Sequence, residues 1–331
     1  MPVTSGRLTG RPDPKGGASM AAGSSSSAQK QGLLWGQAPT AAILLVIAVV
    51  GAWYFLAGGV STSVPGTPAV DAASGVSLVV VGFVAGLLGG LIGTGGCSVM
   101  LPAIHFWMGY PAAVAVGTTL FAVIFTAASG AYGHLMRRNL DVRAVAWLGL
   151  GGVLGVLLGS WLFTLLASQS ALLGLILGII FLWPAIRMIW EGITQRGMPA
   201  REGKTIPGGT WGMSIFGFIV GIATGVAGLG GGYALVPGLI YLFGAPVYIT
   251  MGSSLATMIP LAVVGGGIKL AQGFVDLGAG LLLGGGAVIG AQVGAAIIKR
   301  FKPATLKLIF GLYFLYVAVK FVGAYFGIAV W

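Results

Sequence analysis

Two glycine-rich stretches decide how this sequence folds: Gly93-Thr94-Gly95-Gly96 and Gly228-Leu229-Gly230-Gly231-Gly232. Each interrupts an apolar run, and each is followed by a short apolar piece, residues 97–108 in the first case and 233–243 in the second. At about 1.5 Å per residue these pieces extend roughly 17 to 18 Å, too short for a hydrocarbon core of roughly 30 Å. The pattern predicts half-helices or re-entrant hairpins, whose irregular backbone is tolerated only next to protein or a water-filled cavity.

The two stretches belong to an internal repeat. A shift of 135 residues superposes thirteen glycine pairs between residues 82–159 and 217–294, where chance would give about four. Two proline pairs and one acid pair fall on the same shift: Pro102/Pro237, Pro111/Pro246 and Asp141/Asp276. After a two-residue slip the match continues, with Gly178 opposite Gly311. The chain is therefore a duplication with a glycine break in each half.

Composition places both halves in a membrane. The 331 residues are 57% hydrophobic and 7% charged, with a net charge of +11. Fifteen of the 17 Lys and Arg residues lie in four short stretches between apolar runs: 7–30, 137–143, 187–204 and 299–307. Such clustering is typical of cytoplasmic loops and argues against a nucleic-acid partner.

The same charges predict an orientation. Basic residues place loops 136–143, 187–204 and 299–307 inside, and the turns near 168–170 and 273–276, which lack them, outside. Each repeat then crosses the membrane an odd number of times, so the two repeats have opposite orientations in the membrane. An ancestral duplication with no transport role is the alternative. The expected location is the cell inner membrane, multi-pass, with a cytoplasmic N-terminus and an external C-terminus.

These patterns predict an all-α polytopic membrane protein of two inverted-topology repeats. Each repeat has a Gly-broken or re-entrant helix pair and three spanning helices, and one extra span precedes them. The expected boundaries are a disordered cytoplasmic tail (1–38), an extra transmembrane helix (39–60), repeat 1 (76–190), a cytoplasmic loop (191–210) and repeat 2 (211–331).

The glycine breaks indicate the sign of the charge that a bound ligand would carry. A half-helix leaves its first amide groups unpaired and carries partial positive charge there, which favours an anion. Glycine lets the backbone approach a ligand closely, and hydroxyls in the next helix add donors. Tight helix packing is the alternative reason for such small residues. The candidate binding residues around the breaks are Thr94, Gly95, Gly96, Cys97, Ser98, Thr118, Thr119, Leu229, Gly230, Gly231, Gly232, Tyr233, Ser253, Ser254 and Thr257.

Two further candidates carry or can carry positive charge. Lys269 lies within an apolar run and aligns with His134 under the 135-residue shift. Each either holds an anion or extends to the membrane surface. Asp141 and Asp276 sit at membrane edges, where capping of the next helix is the favoured interpretation. The sequence shows no catalytic set, metal cluster or cofactor motif, so we expect no enzyme, no metal and no cofactor.

The motif that begins Gly82-Phe83-Val84-Ala85-Gly86 and runs through the first break to Pro102 and Gly117-Thr118-Thr119 resembles the TauE/SafE family of sulfite exporters, also called the 4-toluene sulfonate uptake permease family. A second copy begins at Gly217 and ends at Gly252-Ser253-Ser254. The resemblance covers residues 77–326. It implies movement of small sulfur-containing anions such as sulfite, thiosulfate or C2/C3 sulfonates.

We therefore expect a transporter of such anions that works by alternating access of the two repeats. An anion channel, or a membrane scaffold without a transported substrate, is the alternative. The expected partners are the sulfur-containing anion and the lipid bilayer, and the sequence leaves a homodimer open.

Overall fold

The computed structural model describes residues 39–53, 56, 64–194, 203–297 and 303–328, and all regular structure within them is helical. The expected tail at 1–38 and the end of the expected first span lie outside these residues. In chain order the helices are α1 (Pro39–Trp53), α2 (Ala72–Ile92), α3 (Cys97–Pro102, continued by a π-helical turn Ala103–Trp107), α4 (Ala112–Met136), α5 (Val142–Ala167), α6 (Ser170–Thr194), α7 (Thr210–Ala227), α8 (Gly232–Tyr241), α9 (Val247–Ala271), α10 (Leu277–Ile297) and α11 (Pro303–Tyr325).

Seven of the described helices, α2, α4 to α7, α9 and α10, are long and apolar enough to cross a membrane. Helix α2 begins four residues before the expected start of repeat 1, because Asp71 and Ser74 form a capping box. Ser74 N donates to Asp71 Oδ1 at 2.7 Å, and Asp71 N donates to Ser74 Oγ at 2.9 Å. These hydrogen bonds with Ser74 hold the pKa of Asp71 below its usual value. Helix α6 continues to Thr194, into the stretch expected to be a loop.

Glycines allow two helix pairs to touch backbone to backbone. Cβ atoms on Gly82 and Gly86 of α2 would collide with the backbone of Leu283 and Ala287 in α10. The equivalent residues in the other repeat, Gly217 and Gly221 of α7, face Leu148 and Gly152 of α5 in the same way. Residue numbers rise together along each pair, so α2 runs parallel to α10 and α7 runs parallel to α5. The small residues therefore serve close helix packing here.

Equivalent helices of the two repeats run in opposite directions. In the central pair, Gly130 of α4 faces Leu255 of α9, whereas Gly265 of α9 faces Leu120 of α4. An early residue of one helix thus meets a late residue of the other. Helices α6 and α11 show the same relation, with Gly192 facing Leu308 and Gly178 facing Phe321. The side of the membrane that each end faces stays a prediction from the charge distribution.

These directions settle the path of the broken pairs. Helix α5 runs parallel to α7 and also to α9, since Gly149 faces Pro260 and Gly152 faces Leu261. Helices α7 and α9 therefore start at the same end of the helix bundle. Helix α8, which lies between them in the chain, must return the chain to that end. Helices α2 and α4 are related in the same way through α10, where Gly280 and Gly284 face Phe121 and Phe125 of α4. In each broken pair, α2–α3 and α7–α8, the chain therefore reverses direction at the glycine break and forms a hairpin.

Helix α1 packs outside the repeats. Its Ile47 is buried against Leu281 and Val288 of α10. Val46, Val49 and Trp53 on its other faces are exposed. The extra helix therefore adds to the surface of the duplicated core and does not enter it.

Candidate functional site

Each hairpin turns through glycines in a left-handed backbone conformation. In the first tip Gly93, Gly95 and Gly96 have φ of 83°, 74° and 77°. In the second tip the equivalent Gly228, Gly230 and Gly231 have φ of 68°, 67° and 86°. Side chains with a Cβ rarely adopt this conformation, which explains why both breaks are built from glycine.

The two tips, residues 93–97 and 228–233, touch each other. A Cβ atom on Gly232 would lie 2.6 Å from Thr94 Cα. The Cys97 thiol of the first tip donates a hydrogen bond to the carbonyl oxygen of Leu229 in the second. The structure thus brings together the two breaks that the sequence places 135 residues apart.

Both half-helices begin at this contact. The first hydrogen bonds after the breaks run from Val99 N and Met100 N to Gly96 O, and from Ala234 N and Leu235 N to Gly231 O. The amides just before them, including those of Cys97 and Tyr233, have no intrahelical acceptor. The partially positive ends of α3 and α8 therefore meet at the tips. A small anion would be stabilised by such an arrangement.

Apolar side chains cover the tips in this arrangement. Met258 and Val123 are fully buried and are equivalent residues of α9 and α4. A Cβ atom on Gly230 would lie 2.6 Å from Met258 Cε and 3.0 Å from Val123 Cγ1, and a Cβ atom on Gly95 would collide with Met258 Cε. Neither residue is recognisable in the sequence, since only their equivalence under the 135-residue shift distinguishes them from other apolar residues. The Met258 side chain therefore lies against the glycine backbone of both tips.

The four predicted hydroxyls of α4 and α9, those of Thr118, Thr119, Ser253 and Ser254, all form hydrogen bonds with backbone atoms. Thr118 Oγ1 accepts from Asp276 N at 3.0 Å, and the equivalent Ser253 Oγ accepts from Asp141 N at 2.9 Å. Ser254 Oγ donates to Gly93 O at 3.1 Å in the first tip. Thr119 differs from its equivalent Ser254, because its hydroxyl donates to Ala115 O within α4. Of the four, Ser254 is the one that contacts a tip directly.

Both acids cap helices, so that interpretation is confirmed. Asp141 Oδ1 accepts from Arg143 N and Ala144 N at the start of α5. Asp276 Oδ1 accepts from Ala279 N at the start of α10. Because Thr118 accepts from the cap of α10 and Ser253 accepts from the cap of α5, these hydroxyls connect the two repeats, joining α4 to α10 and α9 to α5.

Three of the remaining candidates are buried polar residues. Ser98, Tyr233 and Thr257 have 8% or less of their surface exposed. Among the described residues the Tyr233 hydroxyl and Thr257 Oγ1 have no hydrogen-bond partner. A buried polar atom without a partner is costly and suggests a function.

Lys269 is directed inward. It has no exposed surface, its Nζ donates to Gly225 O at 2.6 Å, and the ammonium lies 4.0 Å from the Phe163 ring centroid. The alternative that its side chain extends to the membrane surface is wrong. The equivalent His134 is 3% exposed, and its ring nitrogens have no hydrogen-bond partner within the described part of the chain.

His, Cys, Asp and Glu side chains do not gather into a group of three or more that could hold a metal, as far as the described residues show. Cys97 is a free, buried thiol. The arrangement offers positive charge and hydrogen-bond donors to a ligand. Residues 93–97 and 228–233, all of which the structure describes, include no acidic side chain and no histidine.

Seven apolar helices long enough to span a bilayer, and two equivalent hairpins whose tips touch, define a polytopic helical membrane protein. The family model for the sulfite exporter TauE/SafE family matches residues 78–321, and the chain belongs to that family. It is therefore a multi-pass membrane transporter.

Three relatives match over most of their own length and carry general names. The chain is 26% identical over 254 residues to the "probable membrane transporter protein YunE" of Bacillus subtilis, covering 71% of this chain and 92% of the relative. A "probable membrane transporter protein" of Methanocaldococcus jannaschii is 26% identical over 246 residues, 70% and 89% of the two chains. One of Xylella fastidiosa is 27% identical over 242 residues, 72% and 90%. No solved structure matches the chain significantly.

Proposed function

We propose that the chain carries small sulfur-containing anions, such as sulfite, thiosulfate or C2/C3 sulfonates, and binds them where the two hairpin tips meet. One observation supports this proposal above the others: Gly232 packs against Thr94, so the amino-terminal ends of α3 and α8 lie together. Both ends carry partial positive charge, and their effects on a small anion add. The description of the family as sulfite exporters supports the choice of sulfur anions.

The proposed binding step begins with Met258. Methionine has a flexible, unbranched side chain that can change rotamer at low cost. When it swings away, the amides at Gly95 and Gly230 become available, and the tyrosine hydroxyl of Tyr233 can join them. The buried ammonium of Lys269 is bound to the carbonyl oxygen of Gly225, three residues before the second break, and supplies a full positive charge for the anion.

The covered tips favour a carrier over an open channel. A channel requires a continuous polar path, whereas Met258 and Val123 close both glycine breaks here. We propose that the two repeats rock about the tips and expose them to one side at a time, with the N-terminus inside and the C-terminus outside the cell's inner membrane.

A panel of anions tests the proposal. The purified chain should be stabilised against heat by sulfite, thiosulfate or small sulfonates in proportion to the logarithm of their concentration. Reconstituted vesicles loaded with the best ligand should show saturable counterflow of the same labelled anion. Absence of stabilisation by every sulfur anion would contradict the substrate class, and flux without counterflow would favour the channel.

A further inference from the structure

A cation from each repeat covers an aromatic ring at the outer end of the other repeat's half-helix. The Arg187 guanidinium of α6 lies 3.8 Å from the Tyr241 ring centroid, at the end of α8. The Lys320 ammonium of α11 lies 5.0 Å from the ring centroid of Phe106, in the π-helical end of α3. The contacts join α6 of repeat 1 to α8 of repeat 2, and α11 of repeat 2 to α3 of repeat 1.

The two contacts are copies of each other. Tyr241 follows Phe106 by the 135-residue shift, and Lys320 follows Arg187 by the 133-residue shift that applies after the slip. The second aromatic neighbour of each cation is also duplicated. Trp183 lies 5.9 Å from Arg187, and the equivalent Tyr316 lies 5.5 Å from Lys320. A contact that survives duplication with different residue types on both sides is not explained by chance packing.

Their positions put them at opposite ends of the molecule. Helices α6 and α11 are antiparallel, and each cation lies near the carboxyl-terminal end of its helix. Under the predicted orientation Arg187 is on the cytoplasmic side and Lys320 on the external side. Each contact pins the outer end of one hairpin, whose inner end is the tip proposed to bind the anion.

We propose that Arg187 with Tyr241 and Lys320 with Phe106 are two latches, one on each side, that hold their hairpins closed and must open when the tips are exposed to that side. This inference rests on the proposed carrier function. Arg187 and Lys320 are positioning residues, since they act on the binding site through α8 and α3.

The two latches differ in the strength of the polar contact that accompanies the cation. Arg187 Nε also forms a 3.0 Å ion pair with Glu191, whose side chain is 7% exposed. Lys320 Nζ donates instead to the hydroxyl of Tyr316, at 3.2 Å. An ion pair between two charged groups, one of which is buried, is stronger than a hydrogen bond from an ammonium to an exposed, neutral phenol. The Lys320 side should therefore open more readily than the Arg187 side.

The rate at which Cys97 is labelled measures how often the tips are exposed. Cys97 is the only cysteine of the sequence, and it is fully buried at the tips. A membrane-impermeant maleimide is applied to the full chain in spheroplasts, which expose the external face, and in inverted vesicles, which expose the cytoplasmic face. Arg187→Gln should accelerate labelling from the cytoplasmic face by roughly threefold or more, and Lys320→Gln should do so from the external face, as expected for a shift between two states.

Three controls sharpen the test. Tyr241→Leu and Phe106→Leu remove the rings and should reproduce the variants of their cations. Arg143→Gln removes an exposed cation at the start of α5 and should change neither rate. Cys97→Ser should abolish labelling. A misfolded variant would be labelled from both faces and would show a broadened size-exclusion peak. If a cation variant misfolds, the variant that removes its aromatic ring, Tyr241→Leu or Phe106→Leu, tests that latch instead.

The proposal fails if both cation variants accelerate labelling from the same face, or if all four latch variants leave both rates unchanged. If the membrane orientation is reversed, Arg187→Gln should accelerate labelling from the external face and Lys320→Gln from the cytoplasmic face. The two variants would still act on opposite faces. The assay requires no solute. Failure of the proposed substrate, seen in the anion panel, is therefore distinguishable from failure of the latches.

Discussion

Lys269 Nζ donates a 2.6 Å hydrogen bond to the carbonyl oxygen of Gly225 in the last turn of α7. The last four carbonyls of a helix have no intrahelical donor, and this end of a helix carries partial negative charge. The ammonium therefore stabilises the broken end of α7. It also keeps a positive charge beside the tip, where Phe163 adds a cation–π contact.

Lys269→Met keeps a similar volume and removes the charge. We expect anion uptake to fall by about tenfold or more, because a hydrogen bond to a charged group contributes roughly 1.5–3 kcal/mol. Initial rates of labelled anion uptake into proteoliposomes measure the effect. Phe163→Leu, which keeps the ammonium and its hydrogen bond, should reduce uptake less. Uptake by Lys269→Met within about twofold of the wild type would exclude the charge from transport.

Gly230→Ala should abolish uptake while membrane insertion and yield are retained. The new Cβ atom would lie 2.6 Å from Met258 Cε, on a backbone with φ of 67°. The matched control is Gly267→Ala in α9, where a Cβ atom meets no atom within 4 Å. Alanine in a helix is more favourable than glycine by about 0.5–1 kcal/mol, so the control should be active and at least as stable. Active Gly230→Ala protein would count against a binding site at the tips.

Met258→Ala should create a passive leak of anions. Removing the side chain opens space between Gly95 and Gly230 and destabilises the protein by roughly 2–5 kcal/mol. Met213 of α7 is equally buried, so Met213→Ala should cause similar destabilisation without a leak. Thermal melts in detergent and anion efflux from loaded vesicles separate the two effects. Equal leak from both variants would show that general loosening, and not the cover over the tips, is responsible.

Single cysteines test the predicted orientation. In a Cys97→Ser background, Gln169→Cys lies in the exposed turn between α5 and α6, and Arg137→Cys lies in the exposed turn after α4. An impermeant thiol reagent should label Gln169→Cys from outside intact cells and Arg137→Cys only after the membrane is opened. The opposite pattern would reverse the assignment of sides.

Much of the fold could be predicted from local features of the sequence. The paired glycine breaks, the duplication and the capping roles of Asp141 and Asp276 were all visible, because backbone conformation at a break and a helix start depend on neighbouring residues. The start of α2 was missed by four residues, since the capping pair Asp71 and Ser74 lies in a polar stretch without an apolar signal. Local chemistry thus determined where helices break and begin, and composition determined that they lie in a membrane.

Only the tertiary structure decided what those helices do to each other. Nearly every face of an apolar helix is equally apolar, so the sequence does not show which face meets which partner. Contacts across the two repeats placed the tips together, laid Met258 and Val123 over them, turned Lys269 toward Gly225 and set Arg187 over Tyr241. Close packing between residues far apart in the chain selects these neighbours, and no local pattern encodes it.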